Sequence, residues 1–376
     1  MKLLKKAIAL VVVAALSITA LVGCKKQEAI DNSEIVMTVG DKEVELGMAN
    51  FYARYRQAAE EATMDMYVMY GYAMEWDMEV EEGTTYEESV KKSVLESLQQ
   101  LYILDAHAAD YKVTLTEDET AKIEEAAKAF KKANTDEANE KVSSEYAAEY
   151  LRLVTIGEKM YDAVKASHSP EVTDDEAAQK IMYYVKYDTV KTDDSGNKSE
   201  LSDDEVAALK KDAQALLDGA KANGNLEAYA KENEATATKA AFSASNEELD
   251  EALVKAADAL ELNGFTDVIE GESAIYVAQV TSLFDQEATD AKKDELIEER
   301  KNEFYTETVE KWTEETKIKV NDKVWDKISL EGLKITSIEP EEEKESTDDT
   351  AEDTTDDAAE DAADDTTDDT SEETAE

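Results

Sequence analysis

The apolar positions in the first half of the chain recur every three to four residues and predict a series of amphipathic helices. One stripe begins at residue 46 and includes Phe51 and Tyr55. Further stripes cover residues 86–111 and residues 143–165. Positions with this spacing line one side of a helix, and that side needs a partner to cover it. We therefore expect several helices that share a core.

A different spacing predicts strands in other parts of the chain. Residues 35–45 alternate around a Gly-Asp pair, which is typical of a hairpin with a two-residue turn. Residues 181–190 and 274–283 are rich in β-branched and aromatic side chains and predict two strands with helical segments between them. Residues 288–316 return to a long helical pattern. The predicted fold class is therefore mostly α with a small α+β insert.

One segment has an unusual composition. Residues 63–78 hold five methionines, three tyrosines and a tryptophan. Methionine side chains adapt their shape, and methionine-rich surfaces suit varied apolar partners. The segment has three interpretations: a buried packing segment, a surface that contacts polypeptides, or a copper site built on Met64, Met66 and Met69. No histidine or cysteine lies near these methionines, which disfavours copper.

The N-terminus has the pattern of a secretory signal. Three lysines precede an apolar run over residues 7–22, which is too short for a comfortable membrane span. The run ends in Leu-Val-Gly-Cys, which resembles a bacterial lipobox, and Cys24 is the sole cysteine. We expect cleavage before Cys24 and attachment of lipid to its thiol, with an uncleaved signal anchor as the alternative. The predicted location is the outer face of the cell membrane in a bacterium of Gram-positive type.

Charge and composition exclude several classes of function. The formal net charge is −51, and such a surface repels nucleic acid and anionic lipid headgroups. With two histidines and one cysteine, a zinc site is not expected, and we predict neither a metal nor a cofactor. Residues 339–376 are almost wholly acidic residues, threonine, serine and alanine, which predicts a disordered tail. This tail would act as a solubilising segment or would attract cations and basic client segments.

The order of these elements resembles the extracytoplasmic foldases of the parvulin class, the PrsA and SurA-like proteins. Four segments carry the resemblance: VMTVGDKEVELGMANF at 36–51, the strand, glycine turn and helices of 183–232, LELNGFTDVIEGESAIYVAQV at 260–280, and WTEETKIKV at 312–320. In that family, N-terminal and C-terminal segments build one helical chaperone domain, and a parvulin domain is inserted between them.

The resemblance implies the following division of the chain. Residues 1–23 form the lipoprotein signal peptide and residues 24–34 a tether. The SurA-N-like chaperone domain begins with residues 35–175 and is completed by residues 285–338. The parvulin-like α+β domain occupies residues 176–284, and residues 339–376 form the acidic tail.

The resemblance also implies a membrane-anchored foldase or chaperone that assists secreted proteins, with peptidyl-prolyl cis-trans isomerase activity. Active parvulins carry a histidine in the first strand and another in the last, and here those positions are assigned to Tyr187 and Tyr276. Prolyl isomerisation breaks no covalent bond, so a pocket that binds the twisted amide is sufficient. Two alternatives stay open: these tyrosines shape an active pocket, or they are cross-strand packing partners in a degenerate domain.

The implied partners are unfolded or partly folded secreted polypeptides, and a homodimer is one alternative for the assembly. The residues predicted to contact clients form one set: Phe51, Tyr55, Met66, Met69 and Tyr70. A solute-binding lipoprotein or a structural surface lipoprotein is the alternative function. A solute-binding protein normally needs repeated β-α units with parallel strands, and this sequence shows scattered strands.

Overall fold

The computed structural model describes residues 15–20, 30–193, 196, 198–331 and 333–338. Cys24 and the predicted acidic tail lie outside these residues. So does most of the predicted signal peptide, whose described part is a short strand at residues 15–20. No helix in the described part of the chain is long and apolar enough to cross a membrane.

The N-terminal part consists of short strands followed by a long helix. Its elements are β1 (Ala15–Ala20), β2 (Ile35–Val39), β3 (Lys42–Glu45) and α1 (Leu46–Met69). Strands β2 and β3 form the predicted antiparallel hairpin. Gly40 adopts a φ of +60° in its turn, a conformation that glycine reaches without steric cost. The hairpin leads directly into α1 and so fixes where this helix begins.

The helical body continues with the small hairpin β4 (Glu79–Glu81) and β5 (Thr84–Thr85) and the helices α2 (Tyr86–His107), α3 (Glu117–Ala133), α4 (Asp136–Val142), α5 (Ala147–Ser167) and α6 (Asp174–Ala177). Capping boxes open α2 and α3. The box at the start of α3 joins Thr116 and Glu119, which have the Thr-x-x-Glu spacing of this motif. The first turn of α3 is thereby fixed by local hydrogen bonds.

A second part of the chain is built around an antiparallel sheet. Its elements are the strands β6 (Lys180–Asp188), β7 (Val190–Thr192) and β8 (Lys198–Glu200), the helices α7 (Asp203–Asn223) and α8 (Leu226–Glu232), then β9 (Thr238–Phe242), α9 (Glu251–Asp258), β10 (Ile269–Glu270) and β11 (Ala274–Ser282). The sheet order is β10-β11-β6-β9. Apolar side chains of α7 and α8 cover one face, and those of α9 cover the other. Each face therefore has its own small core.

The chain then returns to the helical body. Helix α10 (Gln286–Glu315) is followed by β12 (Ile318–Val320), α11 (Asp322–Trp325) and β13 (Leu333–Ile338). Strand β12 pairs with β2, and β13 pairs with β1. Trp325 and Leu330 are buried in the same apolar cluster as Phe51 and Val94. The fold class predicted from the sequence, mostly α with a small α+β part, is confirmed.

Polar side chains of α1 and α2 hold the backbone of residues 328–330. The buried Arg54 donates from Nη1 to the carbonyl of Ser329 at 2.9 Å, and Gln57 donates from Nε2 to the carbonyl of Leu330 at 2.9 Å. Lys91 Nζ donates to the carbonyl of Ile328 at 2.7 Å. Burial lowers the pKa of Arg54 to about 10, so the guanidinium stays charged at neutral pH. We call residues 328–330 and these three side chains the C-terminal clamp.

The apolar clusters of the described part draw on residues from Ile30 to Leu330. A chain that begins at residue 25 therefore retains all of the side chains that form these clusters.

We expect Arg54→Ala to destabilise the protein by about 3–5 kcal/mol, because it removes the buried positive charge near Glu61 and Glu87 and the hydrogen bond to the Ser329 carbonyl. Urea denaturation measures the change. Arg56→Ala is the matched control, since Arg56 forms a partly exposed ion pair with Glu60, and its loss costs about 1 kcal/mol or less. Equal losses in the two variants would contradict the clamp.

Candidate functional site

The end of α1 and the segment after it present a cluster of exposed apolar side chains, which we call the Met–Tyr surface. Its members are Met66, Tyr67, Val68, Met69, Tyr70, Tyr72, Met78 and Val80. Met69 is 86 % exposed and Tyr70 is 74 % exposed. Isolated exposed apolar residues are ordinary, but a concentration of them marks a surface that binds a partner.

Backbone hydrogen bonds order the exposed turn of this surface. The Tyr70 N–H donates to the carbonyl of Tyr67 at 3.0 Å, and the Tyr72 N–H donates to the same carbonyl at 3.0 Å. Gly71 lies between them with a φ of +85°, which ends the helix. The rings of Tyr67 and Tyr72 meet edge to face, with centroids 6.4 Å apart. The side chains are thus exposed on a backbone with a defined shape.

Buried residues anchor the Met–Tyr surface to the helical body. Met64 precedes the exposed residues and lies in the core, as does Trp76, which lies within the segment. Trp76 stacks on Tyr86 with a centroid distance of 5.4 Å, and its Nε1 lies 3.4 Å from Glu61 Oε1. Residues 63–78 are therefore not packed uniformly: Met64 and Trp76 are buried in the core, whereas side chains such as Met69 and Tyr70 are exposed.

The five predicted contact residues lie in two different environments. Met66, Met69 and Tyr70 belong to the Met–Tyr surface, whereas Phe51 is 3 % exposed and Tyr55 is half-buried. Phe51 packs against Phe130 and Tyr150, each at a centroid distance of 5.7 Å. The structure thus corrects the expectation of one continuous stripe, because helices α3 and α5 cover the first turns of α1.

The returning helix α10 packs on the helical body through aromatic and apolar contacts. Trp312 stacks on His107, with ring centroids 4.1 Å apart and planes inclined by 9°. Trp312 also packs against the apolar cluster that contains Phe51. His168 stacks on Phe304, at 4.4 Å. Both histidines of the chain therefore stack on aromatic side chains of α10.

The two tyrosines predicted at the histidine positions lie on opposite faces of the sheet. In the pairing of β6 with β11, Tyr187 lies opposite Ile275, and Tyr276 lies opposite Lys186. Neighbouring positions of a strand point to opposite faces, so Tyr187 and Tyr276 diverge. Tyr187 packs in the core beneath α7, and Tyr276 in the core beneath α9. The prediction that they are cross-strand partners is wrong.

The aromatic neighbour of Tyr276 is Tyr184, whose ring lies 6.1 Å away in an edge-to-face arrangement. Tyr276 pairs with Lys186 of β6, and Tyr184 lies two residues before Lys186 on the same strand. Burial raises the pKa of Tyr276, and the nearby Asp250 carboxylate adds to the shift. Tyr276 is 7 % exposed, so a peptide cannot reach its ring in this conformation.

Gly271 contributes to the closure around Tyr276. A Cβ atom at this position would lie 2.2 Å from Asp250 Oδ2 and 2.6 Å from Tyr276 Cε2. The Asp250 carboxylate is held in place, because it accepts hydrogen bonds from the backbone N–H groups of Ala252 and Glu272. Only a residue without a side chain fits this position unless its neighbours move.

We expect Gly271→Ala to destabilise the protein by about 1–3 kcal/mol, because the added methyl group overpacks a site whose neighbours are fixed. Thermal and urea denaturation measure the loss. Glu272→Ala is the control, because this side chain is exposed and its backbone bond to Asp250 is kept, so the change should stay within about 0.5 kcal/mol. A Gly271→Ala variant as stable as the parent would show that the face around Tyr276 is loosely packed.

Comparison with known proteins gives matches among solved structures alone. No protein-family model matches the chain, and no curated protein matches it. A foldase protein PrsA of Lactococcus lactis is 13 % identical, with a TM-score of 0.36, over 78 % of this chain and 97 % of that chain. A foldase protein PrsA of Streptococcus pneumoniae is 18 % identical, with a TM-score of 0.32, over 67 % of this chain and 97 % of that chain.

A third match is a chain from the structures of two SurA-like chaperones of Campylobacter jejuni, PEB4 and Cj1289. It is 10 % identical, with a TM-score of 0.27, over 76 % of this chain and 98 % of that chain. These three solved structures are described as PrsA foldases and a SurA-like chaperone.

Proposed function

We propose that the protein is a membrane-anchored extracytoplasmic chaperone that holds secreted polypeptides while they fold. The observation that carries this proposal is the Met–Tyr surface, an exposed apolar cluster on a backbone anchored in a helical core. A surface of this kind binds apolar segments of many sequences, because methionine side chains repack around each partner.

The binding step is the reversible burial of apolar side chains from the client. Each square ångström of apolar surface removed from water contributes about 25 cal/mol, so a client segment binds in proportion to its exposed apolar area. A folded client has buried these side chains and is released. No covalent step and no nucleotide are needed for this cycle.

Attachment through Cys24 would keep the protein where secreted chains emerge. Two acyl chains hold a protein at a membrane without a spanning helix. Tethering raises the local concentration of the chaperone around a client that is still at the same membrane. The strongly negative net charge repels anionic headgroups, and it therefore favours a body that stands away from the lipid surface.

In this proposal, the α+β part is a structural element and contains no prolyl isomerase site. Strands β6 and β11 contain no histidine, Tyr187 and Tyr276 diverge, and the face around Tyr276 is closed by Gly271 and Asp250. A catalyst of prolyl rotation has to bind the twisted amide better than the planar one, and an enclosed tyrosine offers no place for the amide.

The solute-binding alternative is not favoured. Its usual architecture needs parallel strands joined by helices, with a ligand at the crevice beyond their carboxyl ends. The four-stranded sheet of this protein is antiparallel throughout its described pairings.

We expect residues 25–376 to suppress the aggregation of a chemically unfolded client, and we expect the combined variant Met69→Gln, Tyr70→Gln, Tyr72→Gln to suppress it poorly. Together the three replacements remove enough apolar contact area to cost at least about 1 kcal/mol of binding free energy, so the concentration needed for half suppression should rise at least roughly fivefold. Light scattering during dilution from denaturant measures the effect. Because the three side chains are exposed, the melting temperature should not change.

The matched control replaces three exposed apolar side chains elsewhere, Leu262→Gln, Leu283→Gln and Phe284→Gln. This variant also loses exposed apolar surface, although its three side chains are less exposed than Met69, Tyr70 and Tyr72, and it keeps the Met–Tyr surface. We expect it to suppress aggregation like the parent. Equal impairment of both variants would mean that general surface hydrophobicity, rather than the Met–Tyr surface, binds the client.

A proline-limited refolding assay separates holding from catalysis. The slow refolding phase of such a client takes tens to hundreds of seconds without a catalyst. We expect residues 25–376, at catalytic amounts relative to the client, to change the rate of this phase by less than about twofold. The physical reason is the closed face around Tyr276. A dose-dependent acceleration would establish isomerase activity and overturn this part of the proposal.

A further inference from the structure

A two-stranded ribbon made from the two ends of the described chain lies against the helical body. Six residue pairs join β1 to β13 in antiparallel register, from Ala15 with Ile338 to Ala20 with Leu333. Strand β13 runs beside α1, and β1 lies beside α3 and α4. In the described part of the chain, neither strand pairs with any other strand.

A small aromatic cavity lies between α1, α3 and α5, and its walls include Phe51, Tyr55, Phe130 and Tyr150. Strand β13 contacts the first of these helices, and β1 contacts the second. Two of the residues predicted to contact clients, Phe51 and Tyr55, belong to this cavity rather than to the Met–Tyr surface.

Strand β1 belongs to the segment that the sequence predicts to be removed. Cleavage before Cys24 takes away residues 15–20 and leaves β13 without its partner strand. An unpaired strand exposes a row of backbone N–H and C=O groups that readily pairs with another chain. The processed protein would thus present an open edge beside α1, at the place that β1 occupies in the unprocessed chain.

We propose that the edge of β13 binds an extended, uncharged segment of a client in antiparallel pairing, in the position of β1. This inference deepens the proposed chaperone function and rests on it. The sequence of β1, ALSITA, shows the chemistry of the occupant: small and β-branched residues without charge. Such segments occur in the apolar strands of polypeptides that have not yet folded.

Main-chain pairing suits a chaperone with many clients. The hydrogen bonds of an added strand use groups that every client residue except proline carries, so affinity does not depend on a particular sequence. The edge is also firmly placed, because β13 begins just after residues 328–330, which the C-terminal clamp fixes to α1 and α2. A fixed edge loses less conformational freedom on binding than a free tail.

The test uses a fluorescent peptide that spans residues 14–21, with lysines added at its ends for solubility, and the chain 25–376. We expect saturable binding by fluorescence anisotropy.

Two further peptides carry N-methyl groups at alternate residues, at positions 16, 18 and 20 or at positions 15, 17 and 19. Alternate residues of an edge strand donate to the partner, so one methylated peptide should lose about tenfold or more in affinity and the other should stay within about threefold. Equal behaviour of the two would overturn strand pairing.

Truncations test the location on the protein. The chain 25–338 lacks only the acidic tail, and the chain 25–332 lacks β13 as well. Both keep the described apolar clusters, which end at Leu330, and circular dichroism should show the same helical melting. We expect the first to bind the peptide like 25–376 and the second to lose binding. Retained binding by 25–332 would overturn the assignment to β13.

The aggregation assay distinguishes this inference from the proposed function. Suppression of aggregation without any peptide binding would overturn the strand site and keep the chaperone. Peptide binding that follows the alternate-methyl pattern, without suppression of aggregation, would keep the strand site and overturn the chaperone.

Discussion

The buried guanidinium of Arg54 joins two parts of the chain that are far apart in sequence. It donates to the carbonyl of Ser329, 275 residues away, from a position enclosed by the core. A buried charge is tolerated only where hydrogen bonds and opposite charges compensate for the lost water, so the position of residues 328–330 is narrowly defined. Gln57 and Lys91 restrict the position of this segment further, because they donate hydrogen bonds to the carbonyls of Leu330 and Ile328.

This constraint turns the N-terminal helices and the C-terminal segment into one body. Two further contacts join these parts: β12 pairs with β2, and Trp312 stacks on His107. The α+β part leaves and re-enters that body between α6 and α10, and its two faces are filled by its own helices. Because its tyrosines pack inward, the α+β part stabilises itself rather than offering an open pocket.

The two surfaces proposed here to bind clients lie on the helical body, and both involve α1. The Met–Tyr surface offers flexible apolar side chains at the end of this helix, and the edge of β13 offers backbone groups beside it. Side-chain burial gives a client affinity that follows its exposed apolar area, whereas strand pairing depends on an extended backbone. An unfolded polypeptide supplies both, and a folded one supplies neither.

Much of the local structure could be predicted from the sequence. The hairpin around Gly40, the capping box at Thr116 and the strands that became β6 and β11 follow from spacing and residue type within short windows. The composition of residues 63–78 identified the segment as unusual, but it left open whether the methionines are buried or exposed, because both environments accept the same side chains. The fold class followed from the order of these elements.

The sequence by itself determined the long helices and the main strands, since propensity and periodicity act between near neighbours. Only the tertiary structure decided what covers each face. Phe51 and Met69 lie on the same helix, yet α3 and α5 cover the first and leave the second in solvent. Tyr276 has Tyr184 rather than Tyr187 as its neighbour, because the register between β6 and β11 is set by long-range pairing and a shift of one residue reverses the face.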